Sequence, residues 1–195
     1  NIMAFWGESL GATAQDPKRK FRFRVMFGGS AGSAANKIIW WAKSVDKPKM
    51  QIEPTEHKFM GHTFKFPGSV KWDEISLVLV DPVSEDAAQQ TLSIISDAGY
   101  VFPEAGYALG EDDTKSFKTM NKAKSVAALG EFVIEQLDAE GVPVETWTLH
   151  NAFFTSVQFS DLSYESEDLS DITLSVTYDW AKLTSGDSYK FKYSE

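Results

Sequence analysis

Three histidines, several carboxylates and six tryptophans are the residues of this 195-residue chain whose types could do chemistry; it has no cysteine. Without cysteine there is no disulfide framework, thiolate zinc site or sulfur nucleophile. His57 and His62 stand five apart in a segment that reads as strand, which places their side chains on opposite sides of a sheet and denies them a shared metal. With His150 they read as ordinary surface or edge histidines. Glu131 and Glu135 are four apart on one expected strand, about 13 Å at strand rise, too far for a glycosidase pair unless a partner strand helps. Trp40, Trp41, Trp72, Trp147 and Trp180 offer faces to sugar rings, although single tryptophans on alternating strands more often anchor cores or interfaces. No GxSxG elbow accompanies the serines. The loop "GGSAGSAAN" (28–36) has Ser33 and Ala34 where a phosphate loop needs Gly and Lys, and "GYALGED" fails the GxGxxG spacing. The chain reads as a binding or building part: no catalytic residue, no metal and no cofactor is expected.

Bulk properties bound the partners. Hydrophobic residues at 43% and aromatics at 13% suffice for a real core, so a disordered chain is excluded. A formal charge of −9 and a pI near 4.9 exclude gripping nucleic acid or anionic membrane by charge. They do not exclude DNA nearby, since a surface past which DNA slides must avoid attracting it. No apolar run approaches the ~20 residues of a membrane helix, and no membrane insertion by this chain alone is expected. The start, "NIMAFWGESL", lacks the basic opening and long apolar run of a signal peptide; because it begins at Asn1, an initiator Met or short leader is expected upstream.

Such residues must be placed by strands. "DITLSVTYDWA" (171–181) alternates: Ile172, Leu174, Val176, Tyr178 and Trp180 face one way, and Thr173, Ser175, Thr177 and Asp179 the other. That is a strand with one buried face. "FRFRVMF" (21–27) alternates in the same way, "KIIWWAKSV" (37–45) is β-rich, and "HKFMGHTFKF" (57–66) reads as a strand or hairpin bending at Gly61. "VKWDEISLVLVDP" (70–82) reads as one longer strand. A helix is expected from about Ser84 to Ala98, capped by Ser84, with Glu85 and Asp86 at its positive end and Gly99 as its stop. Its apolar stripe would be Ala87, Ala88, Leu92, Ile94 and Ile95. Residues 99–120 read as a surface excursion, with room for a second helix within 114–127. "GEFVIEQLDAEGVPVETWTL" (130–149) is a hairpin turning at "DAEG", and "FFTSVQFSDLSY" (153–164) is a further strand. The fold class is mainly β (α+β): an antiparallel β-barrel or sandwich with one packed helix. The expected organisation is an N-terminal arm at 1–18, a barrel domain at 19–183 and a polar tail at 184–195.

Three stretches in this order resemble the tail tube proteins of contractile-tailed, T-even-like bacteriophages. They are "PGSVKWDEISLVLVDP" running into "SEDAAQQTLSIISDAG", then the hairpin with its aromatic continuation to Tyr164, then the closing "DLSDITLSVTYDWAKL". The similarity covers roughly residues 19 to 183, and the order carries it. It implies a non-enzymatic virion protein forming hexameric rings, stacked into a hollow tube whose inner wall is one continuous β-barrel. Implied partners are further copies of the chain, a contractile sheath, baseplate and terminator proteins, and genomic DNA passing through the bore without specific binding. The implied location is the phage tail, assembled in the host cytoplasm. The same fold serves baseplate initiator rings, type VI secretion tubes and injection particles, so those readings stand beside the main tube. A carbohydrate-binding or carbohydrate-cleaving β-sandwich, suggested by the acid and Trp content, is the alternative of another class.

A bore that passes DNA should be polar and acidic. By the resemblance, Glu131, Glu135, Thr146 and Thr148 are the candidates to line it; solvated outer charges are the plainer reading of the acids. Contacts between subunits would fall to the apolar arm, Phe5 and Trp6, and to Ile38, Ile39, Trp40 and Trp41, with core membership as the alternative.

Overall fold

The computed structural model describes residues 18–28, 42–83, 87–101, 119–165 and 167–185. Ten strands and two helices follow in order: β1 (Phe23–Gly28), β2 (Ala42–Val45), β3 (Met50–Phe59), β4 (His62–Trp72), β5 (Ile75–Val80), α1 (Ala87–Asp97), α2 (Lys122–Leu129), β6 (Glu131–Leu137), β7 (Pro143–His150), β8 (Phe153–Phe159), β9 (Asp171–Thr177) and β10 (Trp180–Ser185). They make a first sheet β1-β6-β7-β10, a second sheet β2-β5-β9-β8 and a two-stranded ribbon β3-β4. All pairings are antiparallel. Among the described residues no helix is long and apolar enough to cross a membrane.

Alternation builds the core. Val25, Phe27, Phe132, Ile134 and Leu149 point inward from the first sheet; Leu77, Leu79, Ile172, Leu174 and Val176 meet them from the second. Phe27 stacks on Phe132 at 5.6 Å and meets Phe154 edge-on at 6.3 Å. Two corners join the sheets, where the chain passes from β7 to β8 and from β9 to β10. The corners are tied to each other and to α2. Asp179 N–H donates to His150 O at 3.0 Å. The Asp179 carboxylate accepts from Lys122 at 2.7 Å and from Asn151 at 2.8 Å. Those two donors hold the Asp179 carboxyl below its ordinary range.

Several expectations are corrected. The run 70–82 is two strands in two sheets: Asp73 N–H closes the ribbon on Lys49 O at 3.0 Å, and Ile75 then opens β5. Trp180 leaves the buried face of β9 because the corner at Asp179 re-aims it; it is 46% exposed and its ring stacks on His150 at 3.7 Å. The buried stripe of α1 is Ala87, Thr91 and Ile94, whereas Leu92 is exposed. Thr91 can be buried because its hydroxyl donates to Ala87 O at 2.8 Å. Ala87 N–H donates to Asp81 at 3.1 Å; Ser84, Glu85 and Asp86 lie outside the described residues. A second helix, α2, accompanies the expected one, with Asn121 accepting from Lys124 N–H at its start. β10 carries paired chain to Ser185.

Leu174 is fully buried between the sheets, so Leu174→Ala should lower the unfolding free energy by about 3 kcal/mol in urea titration. Leu92→Ala on the exposed side of α1 should cost under about 1 kcal/mol. Equal costs would contradict this placement of the core.

Candidate functional site

The face of the first sheet turned away from the core is built in rows by its register. One row is Arg24, Glu135, Thr146 and Thr184; the next is Met26, Val133, Thr148 and Lys182. Glu131 follows on the same face of β6. Glu131, Glu135, Thr146 and Thr148 are thereby brought onto one surface. That surface is polar but locally less acidic than expected. Glu135 is buried under an ion pair from Arg24, and Lys182 stands in the adjoining row, which leaves Glu131 as the exposed acid. The other sequence candidates, Phe5, Trp6, Ile38, Ile39, Trp40 and Trp41, lie outside the described residues.

The ribbon β3-β4 is the second surface. Each strand spans ten residues or more, about 30 Å, and neither outer edge is paired among the described residues. Nearly every residue of it is exposed, including Met50, Ile52, Phe59, Met60, Phe64, Phe66 and Val70. Its two halves are apolar on opposite faces. Toward the tip, Phe59, Phe64 and Phe66 share one face with Thr55, His57 and His62, while the other carries Lys58 and the Glu56–Lys65 pair at 3.7 Å. Toward the base the second face is the apolar one, with Met50, Ile52, Val70 and Trp72. Between the halves Pro54 pairs with Pro67, and the register shifts beside Gly68. A Cβ on Gly68 would run into Glu53 O, so the bulge requires glycine. His57 and His62 share a face, against the expectation, because Met60 and Gly61 turn the chain between them and put them on opposite strands. Gathering three potential ligands takes more than this pair, and among the described residues no such group forms.

A third feature lies between the sheets near β1 and β2. A cavity of about 670 Å3 is bordered by Lys20, Phe21, Phe23, Val45, Lys47 and Trp147. Beside it sits Glu145, 7% exposed. Its carboxylate accepts from Lys47 at 2.7 Å, from the Trp147 indole at 2.6 Å and from Lys18. Lys47 also donates to Gln136 at 2.7 Å, and Gln136 donates to Arg19 O at 3.1 Å. This network fastens the chain before β1 and the chain after β2 to the first sheet. Trp72 packs on Tyr178 at 5.9 Å. Trp72 and Trp147 are therefore packing residues, as single tryptophans on alternating strands suggested.

Among the described residues the chain is two packed four-stranded sheets, a long ribbon and two helices, and solved structures resemble it over most of its length. A chain of the anti-feeding prophage tube-terminating cap superposes with a TM-score of 0.61 at 16% identity, over 90% of this chain and 95% of that one. A chain of an extracellular contractile injection system, the PVC sheath-tube complex in its extended state, gives 0.59 at 16% identity, over 87% and 93%. The SPP1 tail tube gives 0.51 at 13% identity, over 87% and 80%. This is the tail-tube fold. No family model matches the chain, and no curated protein matches it in sequence. The tail-tube fold accounts for the mainly β class.

Burial alone would push the Glu145 carboxyl up, but hydrogen bonds from Lys18, Lys47 and Trp147 outweigh it and bring it from 4.5 to about 2. A depressed carboxyl contributes stability above its unfolded value, and that contribution is lost as the pH falls from about 4.5 toward 2. Glu145→Gln should therefore unfold about 2 kcal/mol more easily than the parent at pH 7, allowing for the half-exposed lysines. The gap should narrow steadily below pH 4.5. A gap that stays constant down to pH 2.5 in urea titrations would rule this out.

Proposed function

We propose that this chain is the structural subunit of a phage tail tube, closing into hexameric rings that stack into a hollow conduit for DNA. The observation that carries this reading is the ribbon β3-β4: in a tail-tube fold, a long ribbon with two open edges and apolar tip residues in solvent. An isolated two-stranded ribbon is marginal in water, and open edges template pairing with another chain. Pairing edge to edge with the next copy satisfies both, since strand addition supplies main-chain hydrogen bonds and covers Phe59, Phe64 and Phe66. Closure of such a head-to-tail contact gives a ring.

The outward face of the first sheet is then the candidate wall of the bore, with Glu131, Glu135, Thr146 and Thr148 on it. Its hydroxyls and its neutralised Glu135–Arg24 pair suit a surface that neither grips nor strongly repels a phosphate backbone, and the chain's net charge of −9 supplies the longer-range repulsion. Phe5, Trp6, Ile38, Ile39, Trp40 and Trp41 are candidates for contacts between neighbours. A sheath, a baseplate and a terminator are the partners this role requires. The protein would thus act by shape and assembly, without catalysis, within a virion tail. A second reading, the tube of an extracellular injection particle, is favoured by the higher TM-scores to the anti-feeding prophage and PVC chains than to the SPP1 tail tube.

Purified full-length chain, concentrated and imaged by negative-stain electron microscopy, should show six-fold rings or tubes. Phe64→Asp combined with Phe66→Asp should abolish them while the circular dichroism spectrum stays unchanged and the urea stability moves by less than about 0.5 kcal/mol, because both positions are solvent-exposed in the lone chain. A parent chain that stays monomeric at hundreds of micromolar would sink the proposal.

A further inference from the structure

Between Ser160 and Asp171 the chain leaves the second sheet and returns through a tied neck. Ser160 N–H donates to Asp171 O at 3.0 Å, and Asp81 N–H donates to Ser170 O at 2.9 Å. The Ser160 and Ser170 hydroxyls are 2.9 Å apart. A surface loop of this size with its ends held together is an Ω-loop. This one presents Leu162, Tyr164 and Leu169 to solvent, Leu162 at 92% exposure and Tyr164 completely. Around them stand Asp161, Glu165, Glu167 and Asp168, with no basic residue from 161 to 169. Apolar side chains held outward on a closed neck, in an acidic setting, are an unpartnered docking element.

The molecule offers the complementary surface elsewhere. The cavity beside β1 and β2 is apolar in its walls, with Phe23, Val45 and Trp147, and Phe21 at its mouth is 73% exposed. Its border carries Lys20, Lys43 and Lys47, of which Lys43 is paired with Asp171 at 2.6 Å and Lys47 with Glu145 at 2.7 Å. Asp46 and Glu135 also border it, but Glu135 is paired with Arg24 and Asp46 stands 3.8 Å from Lys49. Lys20 has no acidic partner among the described residues. The volume, about 670 Å3, is that of roughly twenty water molecules, room for more than one large side chain.

We infer that the Ω-loop of one copy seats in this cavity of the next, with Tyr164 and Leu162 entering the apolar part and Glu165 and Glu167 meeting Lys20 at its rim. The occupant is a second copy because charge and apolarity are matched between the two surfaces, and because the loop's side chains stand in solvent in the single chain, leaving its own cavity unfilled. The contact is heterologous, using different patches on the two partners, so it propagates into rings or filaments. It extends the tube reading but needs only that the chain self-associates. Tyr164 and Leu162 form its desolvated centre, and the charges set orientation and on-rate.

Because the chain has no cysteine, engineered pairs report the contact directly. Full-length protein carrying both Lys20→Cys and Glu165→Cys should form a covalent ladder on mild oxidation. The yield should be at least tenfold above a control carrying Asp97→Cys with Glu165→Cys. Leu162→Ser with Tyr164→Ser should weaken association at least tenfold in sedimentation experiments. Rings or tubes without a ladder would overturn this docking and leave the tube reading intact. A ladder without rings would support the docking and count against the tube. Monomers without a ladder would overturn both.

Discussion

Backbone hydrogen bonds that a single chain leaves unmade are the constraint on which the rest of this structure depends. Every other strand has a partner within the monomer, and the core is closed by residues such as Phe27, Leu77, Phe132 and Leu174. The edge strands β1, β10, β2 and β8 also have one side unpaired among the described residues, but each lies in a sheet packed on the core, whereas the ribbon β3-β4 is almost wholly exposed. Its strands satisfy each other and nothing else among the described residues. Peptide groups on its outer edges have no strand partner among the described residues, and its aromatic tip adds an apolar cost. The sandwich thus completes its own packing, while the ribbon's edges and aromatic tip stay open among the described residues.

That separation requires a rigid body from which the ribbon can project. The two corners provide one. Asp179 gathers Lys122, Asn151 and the His150 carbonyl, so α2, β7, β8 and β10 move as a unit. At the opposite side, Glu145 gathers Lys18, Lys47 and Trp147. The two clusters differ in burial. Asp179 is exposed, and its contacts are held by geometry; Glu145 is buried, where losing a partner would leave a charge uncompensated.

Where one periodicity governed, the sequence was legible. The alternation of 171–178 placed Ile172, Leu174 and Val176 in the core, and the turn at 138–141 followed from its composition. Reading stopped where two effects competed. Val70 to Val80 is apolar enough to pass as one strand, and only the tertiary bond from Asp73 to Lys49 divides it. Leu92 outranks Thr91 in hydrophobicity, yet Thr91 satisfies its hydroxyl on its own helix and takes the buried place. His57 and His62 were separated by counting along one strand, although Gly61 folds that count in half. That Glu131 and Glu135 share one face was readable; the direction of that face was not, because Val133 and Leu137 lie on it too. Neither was the pairing of Glu135 with Arg24, because the partner lies 111 residues away. The ribbon's full extent was hidden because its apolar face changes sides midway.

The proline pair at that midpoint has a mechanical meaning. Neither Pro54 nor Pro67 has an N–H to give, so the ladder loses its cross-links where the bulge at Gly68 also interrupts the register. The ribbon therefore behaves as two short stiff levers sharing a compliant elbow. Its root can stay docked through Trp72 on Tyr178 while its far end pivots. If the proposed ring forms, a chain built this way can join circles of slightly different radius without disturbing the packing at its own centre.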